Sequence, residues 1–241
     1  MDKLNNKIYL DHAATTPVDP RVAEAMKPYF TDIFGNPGSL HSFGREASEA
    51  VTKSRKTISD FLKCKLEELI FTSGGSEADN LAIRGTINAQ RKTLNEGGKP
   101  HVITSAFEHK AVLDTVEDLE KSGEIEATYI KPSKDGQISV EDIGSAIKEN
   151  TILVSIMYIN NEVGTIQPIR EIGEMLKKGD KKIYFHTDAV QAIEYCNVDV
   201  NQLGVDFLTF TAHKVYGPKG VGALYIKAGT PVKSEITGGG Q

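Results

Sequence analysis

The chain has 241 residues, with 28 Lys and Arg against 33 Asp and Glu, a formal charge of −5, and 39% hydrophobic and 25% charged residues. These proportions are ordinary for a globular protein and exclude a disordered, collagen-like or strongly basic chain. Two cysteines, Cys64 and Cys196, cannot build a disulfide framework, which points to a reducing compartment, here the cytoplasm. The longest apolar run, Ile152–Ile159, falls far short of a bilayer-spanning length, so no membrane partner is expected. Met1–Asn6 is polar and Ile8–Leu10 is too short for the apolar core of a signal peptide. With mild acidity and no basic patch interleaved with aromatics, no nucleic-acid partner is expected either.

Taken in chain order, Phe43, Ala47, Ala50, Val51, Ser54, Ile58, Phe61 and Leu62 recur at three- and four-residue steps and predict an amphipathic helix. A short strand over 68–72 follows. Ser73-Gly74-Gly75-Ser76-Glu77 then opens a second helix through Leu81, Ile83 and Ile87. A strand at 101–105, a helix from about 109 to 119 and a strand at 125–130 come next. Asp135-Gly136 marks a turn. Ser139 with Asp142 resembles a capping box, with Asp in the Glu position, ahead of helical Ile143 and Ile147. Thr151–Met157 is a continuous apolar run, as a buried parallel strand should be. Pro168 fits the first turn of a helix carrying Ile169, Ile172, Met175 and Leu176. Three more strands are predicted at 182–186, 206–210 and 221–226. This alternation implies an α/β fold, a mostly parallel central sheet flanked by helices. Ligands of such sheets collect at the carboxyl ends of the strands.

Three segments sit at such ends. Thr72-Ser73-Gly74-Gly75-Ser76-Glu77 joins a strand to a helix, and its glycines and free helix-start N–H groups would cradle an anion. It matches neither the Walker pattern nor the dinucleotide pattern, and a plain helix cap by Ser73 or Ser76 is the rival reading. His186-Thr187-Asp188-Ala189-Val190-Gln191 places an aspartate where its carboxylate needs a cation; alone, Asp188 reads as a helix cap. Thr209-Phe210-Thr211-Ala212-His213-Lys214 places a lysine where partial burial would favour an amine nucleophile; alone, Lys214 reads as a solvated loop lysine. Together they supply a phosphate cradle, a carboxylate and an amine. Those are the needs of pyridoxal 5′-phosphate: an anchor for its phosphate, a partner for its ring nitrogen and an amine for its aldehyde carbon.

The spacing of Asp188 and Gln191 ahead of Lys214 then makes a resemblance specific. The chain resembles cysteine desulfurases of the NifS/IscS type, fold-type I enzymes of the class V aminotransferase family, from Ile8 to the last residue. The resemblance rests on Leu10-Asp11-His12-Ala13-Ala14-Thr15-Thr16-Pro17, Gly35-Asn36-Pro37-Gly38-Ser39, Ser73–Asn80, Glu108-His109-Lys110-Ala111-Val112, Asn160-Asn161-Glu162-Val163-Gly164 and Ala212–Gly220. It implies that Lys214 carries the cofactor and moves protons at the substrate Cα, and that Asp188 keeps the ring nitrogen protonated. It also implies that Gln191 bonds the phenolic oxygen with Asn161 nearby, that Gly75, Ser76, Thr211 and His213 hold the phosphate, and that His109 stacks on the ring and serves in acid–base steps. Gly75-Ser76 stands where the family often has Ala-Thr, and a hydroxyl is retained.

The implied activity is removal of sulfur from L-cysteine, leaving alanine and an enzyme persulfide for iron–sulfur cluster or thio-cofactor synthesis. L-Cysteine, a sulfur-acceptor or scaffold protein and a second copy of the chain are the implied partners. The expected organisation is a cofactor-binding large domain over 1–241, with a segment of about 1–15 joining a small domain. The C-terminal part of that small domain, with the family's substrate-binding arginine and its nucleophilic cysteine, is expected to be missing. Neither Cys64 nor Cys196 matches that cysteine, so the chain alone is expected to be inactive. A selenocysteine lyase, another class V lyase, or a non-catalytic cofactor-binding fragment or split subunit are the alternatives. His101 and His186 are expected to be structural, and no Cys/His spacing suggests a zinc site.

Overall fold

The computed structural model describes residues 7–90 and 98–238. In chain order the described elements are α1 (Pro20–Met26), α2 (Pro28–Thr31), α3 (Ser42–Leu62), β1 (Leu69–Thr72), α4 (Gly75–Gln90), β2 (His101–Ser105), α5 (Lys110–Lys121) and β3 (Glu126–Ile130). They continue with α6 (Val140–Ala146), β4 (Thr151–Ser155), α7 (Ile169–Lys178), β5 (Tyr184–Asp188), α8 (Val200–Leu203), β6 (Phe207–Thr211) and β7 (Gly222–Ile226). The strands form a single sheet in the order β1-β7-β6-β5-β4-β2-β3.

Neighbours from β3 across to β6 pair in parallel, whereas β7 runs antiparallel to both β6 and β1. The reversal follows from chain length. Residues 212–221 between β6 and β7 are too few for a helical crossover, so the chain turns back on itself. Strands β2 and β4 are buried along their whole length, as apolar runs covered on both faces should be. On one face Val102 and Leu153 pack with Ile83 and Ile87 of α4 and Val112 and Val116 of α5. On the other, Ile103, Val154 and Phe185 pack with Ile169 and Ile172 of α7 and Leu203 of α8.

Two features position the site. At the start of β7, a Cβ on Gly222 would lie 2.7 Å from Gly74 C and 2.8 Å from Gly74 Cα, so only glycine lets this strand press on the loop after β1. At α5, His109 lies outside the helix as its N-cap, and its Nδ1 accepts a hydrogen bond from Ala111 N at 3.1 Å. The Ser139 cap forms as predicted and accepts from Asp142 N at 3.1 Å, but Ile147 is already extended beyond α6. Of the stripe predicted on α3, Ala47 and Leu62 are buried while Phe43 and Phe61 stay more than half exposed (55% and 54%), because only the end of this helix meets the sheet's core. No helix among the described residues is long and apolar enough to cross a membrane.

Candidate active site

A cleft of about 370 Å³ opens at the carboxyl ends of β5 and β6 and the start of α4. Gly75, Ser76, His109, Asn161, Asp188, Gln191, Thr211, His213 and Lys214 all line it. Sequence positions more than a hundred residues apart meet there because β1, β5 and β6 run in the same direction, so the segments that follow them emerge on one side of the sheet.

One end of the cleft is built for an anion. The first-turn N–H groups of α4 point outward without intrahelical acceptors and carry the positive end of the helix dipole. Glu77 folds back to accept from Ser73 N (2.7 Å) and Ser73 Oγ (2.5 Å), which locks the loop before the helix. A Cβ on Gly75 would come within 3.1 Å of Val190, a spot a bulkier residue would crowd. Thr211 ends β6 with its hydroxyl donating to Val221 O at 3.0 Å, and His213 Nδ1 lies 3.1 Å from Thr15 Oγ1. Burial, with Lys214 and Lys219 nearby, lowers the His213 pKa.

The other end is acidic and dry. Asp188 is the last residue of β5 and only 6% exposed. Its Oδ1 accepts from Val190 N at 2.9 Å, so it is a local cap as well as a cleft residue. Burial first, and the carboxylate of Asp79 second, push its pKa up to about 7. A cation delivered to this carboxylate would relieve both effects. Beneath it His186 is fully buried between Ser155 Oγ (2.8 Å from Nδ1) and Thr209 Oγ1 (3.1 Å from Nε2), and burial lowers its pKa to about 4. His101 is held the same way, between Thr151 and Thr128, each at 2.8 Å. Both are structural, neutral imidazoles.

Lys214 closes the short turn Ala212–Lys214 directly after β6. Burial lowers its pKa, against the pull of Asp188 and Asp11, so more of the amine is unprotonated than in a solvated lysine. Its Nζ donates to Ala13 O and to Ala14 O, and Gln191 Nε2 donates to the same Ala13 O at 2.9 Å. The N-terminal strap is sewn down further along. Thr16 Oγ1 donates to His213 O (2.9 Å) and accepts from Tyr216 N (2.8 Å), and Lys219 Nζ donates to Thr16 O (2.9 Å).

Several lining residues had no role assigned from the sequence, although all but Met157 lie in the motifs quoted above: Ala13, Ala14, Asp79, Met157 and Glu162. Asp79 follows Ser76 by three residues, so helical periodicity alone would have put it on the same face. Asn161 Nδ2 donates to Glu162 Oε1 at 2.8 Å within the turn after β4. Cys64 and Cys196 pack against the core, away from the cleft.

An anion cradle, a buried carboxylate and a half-buried lysine around one cleft of a parallel-rich sheet define a class of enzymes that use pyridoxal phosphate. The donor set fits that group, phosphate at one end and basic ring nitrogen at the other. Residues 8–241 match the aminotransferase class-V family, and the chain belongs to it. That family depends on pyridoxal 5′-phosphate. The chain is 51% identical over 238 residues to the cysteine desulfurase IscS of Clostridium botulinum, covering 99% of this chain and 58% of that protein. It also superposes on SspA in complex with cysteine (TM-score 0.91, 43% identity, 98% of this chain and 66% of that one). A NifS-like protein superposes with TM-score 0.92 at 39% identity, over 98% of this chain and 63% of that one. The chain thus spans less than two thirds of the length of the relatives it matches.

Proposed function

We propose that this chain is the cofactor-binding part of a cysteine desulfurase, acting on L-cysteine to leave alanine and a persulfide for iron–sulfur cluster or thio-cofactor synthesis. The convergence of Lys214, Asp188 and the Gly75–Ser76 helix start on one cleft carries the reading. Pyridoxal phosphate, when bound, supplies an electron sink that weakens bonds at the substrate carbon bearing the amine. Lys214 would hold the cofactor through its amine and then move a proton at the substrate Cα. Asp188, in its dry setting, would keep the ring nitrogen protonated. Gln191 and Asn161 would serve the phenolic oxygen, and Gly75, Ser76, Thr211 and His213 would hold the phosphate. His109, braced on Ala111 N, would pack on the ring and serve in acid–base steps.

Neither thiol of this chain lines the cleft, so the thiolate that accepts sulfur comes from outside the 241 residues. The same observation supports the expectation that the chain alone does not turn over cysteine. The segment up to about residue 15 is assigned to a second, smaller domain, in keeping with the exposure of Ile8 (86%) and Leu10 (87%). A cytoplasmic setting, a homodimer and a sulfur-acceptor protein complete the reading. The test is to incubate the chain with pyridoxal phosphate, reduce with borohydride and map the peptides. The adduct is expected on Lys214; an adduct on Lys219 or Lys110, or none, overturns the proposal.

A further inference from the structure

The buried acid Asp79 has no part in the scheme above, yet it lines the cleft. We propose that Asp79 is a positioning residue for the cofactor ring, a second carboxyl that keeps its proton and so leaves the negative charge of the pair on Asp188. The role rests on the functional reading just given.

Asp79 is 1% exposed, and its Oδ1 finds no hydrogen-bond partner. One oxygen of Asp79, one of Asp188 and one ring nitrogen of His109 all lie within 4.8 Å of one another. Two carboxylates this close and this dry do not both ionise, so the pair carries one charge and one proton. The surroundings decide where each goes. Asp188 accepts the Val190 N–H and is close enough to the Lys214 amine to raise its pKa by charge attraction. Asp79 has only the Thr209 hydroxyl to set against its burial, which pushes its pKa up to about 7.

Among the described residues, no cation pulls on Asp79 to draw the charge back. His186 Nε2, 3.5 Å from Asp79 Oδ1, belongs to a neutral ring already engaged by Ser155 and Thr209. Glu108, the remaining buried acid nearby, is itself held in its neutral form by burial. On α4, Glu77 is turned to Ser73, and Arg84 is turned to Asp118 at 2.7 Å. The proton therefore stays on Asp79. A ring N–H arriving at Asp188 meets one full negative charge, with no second buried anion left unpaired.

The experiment uses the 241-residue chain labelled with ¹³C at aspartate carboxyls. In the cofactor-free protein, Asp188→Asn is expected to lower the Asp79 titration midpoint by about one pH unit or more, since it removes a close like charge, whereas Asp79→Asn leaves the Asp188 midpoint within about half a unit. Asp79→Asn is expected to bind pyridoxal phosphate, followed by absorbance, within about threefold of the parent, because Asn reproduces a neutral carboxyl. In the parent loaded with cofactor, the Asp79 carbon is expected to show the shift of a protonated acid at pH 7. An unmoved Asp79 midpoint in Asp188→Asn, an Asp188 midpoint lowered by about a unit or more in Asp79→Asn, a loss of binding beyond about tenfold in folded Asp79→Asn, or an ionised Asp79 signal in the loaded parent each overturns the proposal. The last reading needs no variant, so a misfolded substitution does not shelter the idea. A parent that fails to bind pyridoxal phosphate brings down the functional reading and this role with it. The cofactor-free titration then separates that failure from a lack of coupling between the two acids.

Discussion

Replacing Gly222 by Ala tests how the start of β7 supports the anion-binding loop. An added Cβ would meet Gly74 C at 2.7 Å, Gly74 Cα at 2.8 Å and Phe210 O at 2.9 Å, against ordinary contacts that begin at 3.4 Å. All three neighbours are backbone atoms, so no flexible side chain can swing away. The ladder or the loop must move by roughly half an ångström or more, an overpacking that costs about 1–3 kcal/mol. For a chain of this length that corresponds to a fall in Tm of about 2–10 °C. The natural control is Gly74→Ala, whose Cβ would meet nothing within 4 Å. It loses only a modest N-cap preference, less than about 1 kcal/mol. Because Gly74 leads directly into α4, Gly222→Ala should also shift the helix start and weaken pyridoxal phosphate binding by about tenfold, the cost of a partly broken charge-assisted hydrogen bond. Denaturant titrations of both variants, followed by cofactor titrations of the folded proteins, measure each effect. The reasoning is refuted if Gly222→Ala proves as stable as Gly74→Ala.

Glu108 gives a pH-dependent prediction. Burial raises its pKa from 4.5 to about 8, against the pull of hydrogen bonds from Ser105 Oγ (2.5 Å) and Met157 N (3.0 Å). The unfolded chain ionises this acid near 4.5 and the folded one near 8, so its contribution to stability is lost as pH rises through that window. Glu108→Gln carries no such loss and should gain on the parent by up to about 1.4 kcal/mol per pH unit between pH 5 and 8, a trend that unfolding curves at the two pH values would reveal or deny. Burial also raises the pKa of both cysteine thiols. Cys64 and Cys196 should therefore react slowly with iodoacetamide at pH 7 and faster as pH rises, and Cys64→Ser and Cys196→Ser should still bind pyridoxal phosphate. Rapid labelling at pH 7, or loss of binding in either variant, would contradict this.

The buried parallel strands were legible because burial on both faces turns them into uninterrupted apolar runs, as in Thr151–Ser155. Their carboxyl ends were less so. Thr187 and Asp188 look like loop residues beyond the predicted strand, yet they pair in the ladder with Leu208 and Thr209. That shift moves Asp188 from a loop to the last rung of β5, where its direction is set by the sheet. Helices α1, α2 and α8 have seven, four and four residues, too few to show a period. Only the short connection of residues 212–221 marks β7 as antiparallel, and nothing within the strand itself does. Within the cleft, the residues tied to turns and glycines stood out, while Asp79, and Glu108 buried close by, did not. A carboxylate on a helix or in a turn reads as solvated, and only the packing of α4 against β5 and β6 takes Asp79 out of water.

The strap of residues 13–16 bonds to residues 213–219 across about 200 residues of chain. Ala13 and Ala14 are exposed, so this stretch is held by a handful of hydrogen bonds rather than by buried apolar surface. The sheet, held together by nearer pairings, can form without it. The strap therefore belongs to the least stable layer of the molecule, able to lift while the core stays intact. Lifting it withdraws the Ala13 and Ala14 carbonyls from the Lys214 amine and the Ala13 carbonyl from the Gln191 amide in a single motion. The two side chains that a ligand would need free are thus released together, at the cost of opening a few residues rather than unfolding the domain.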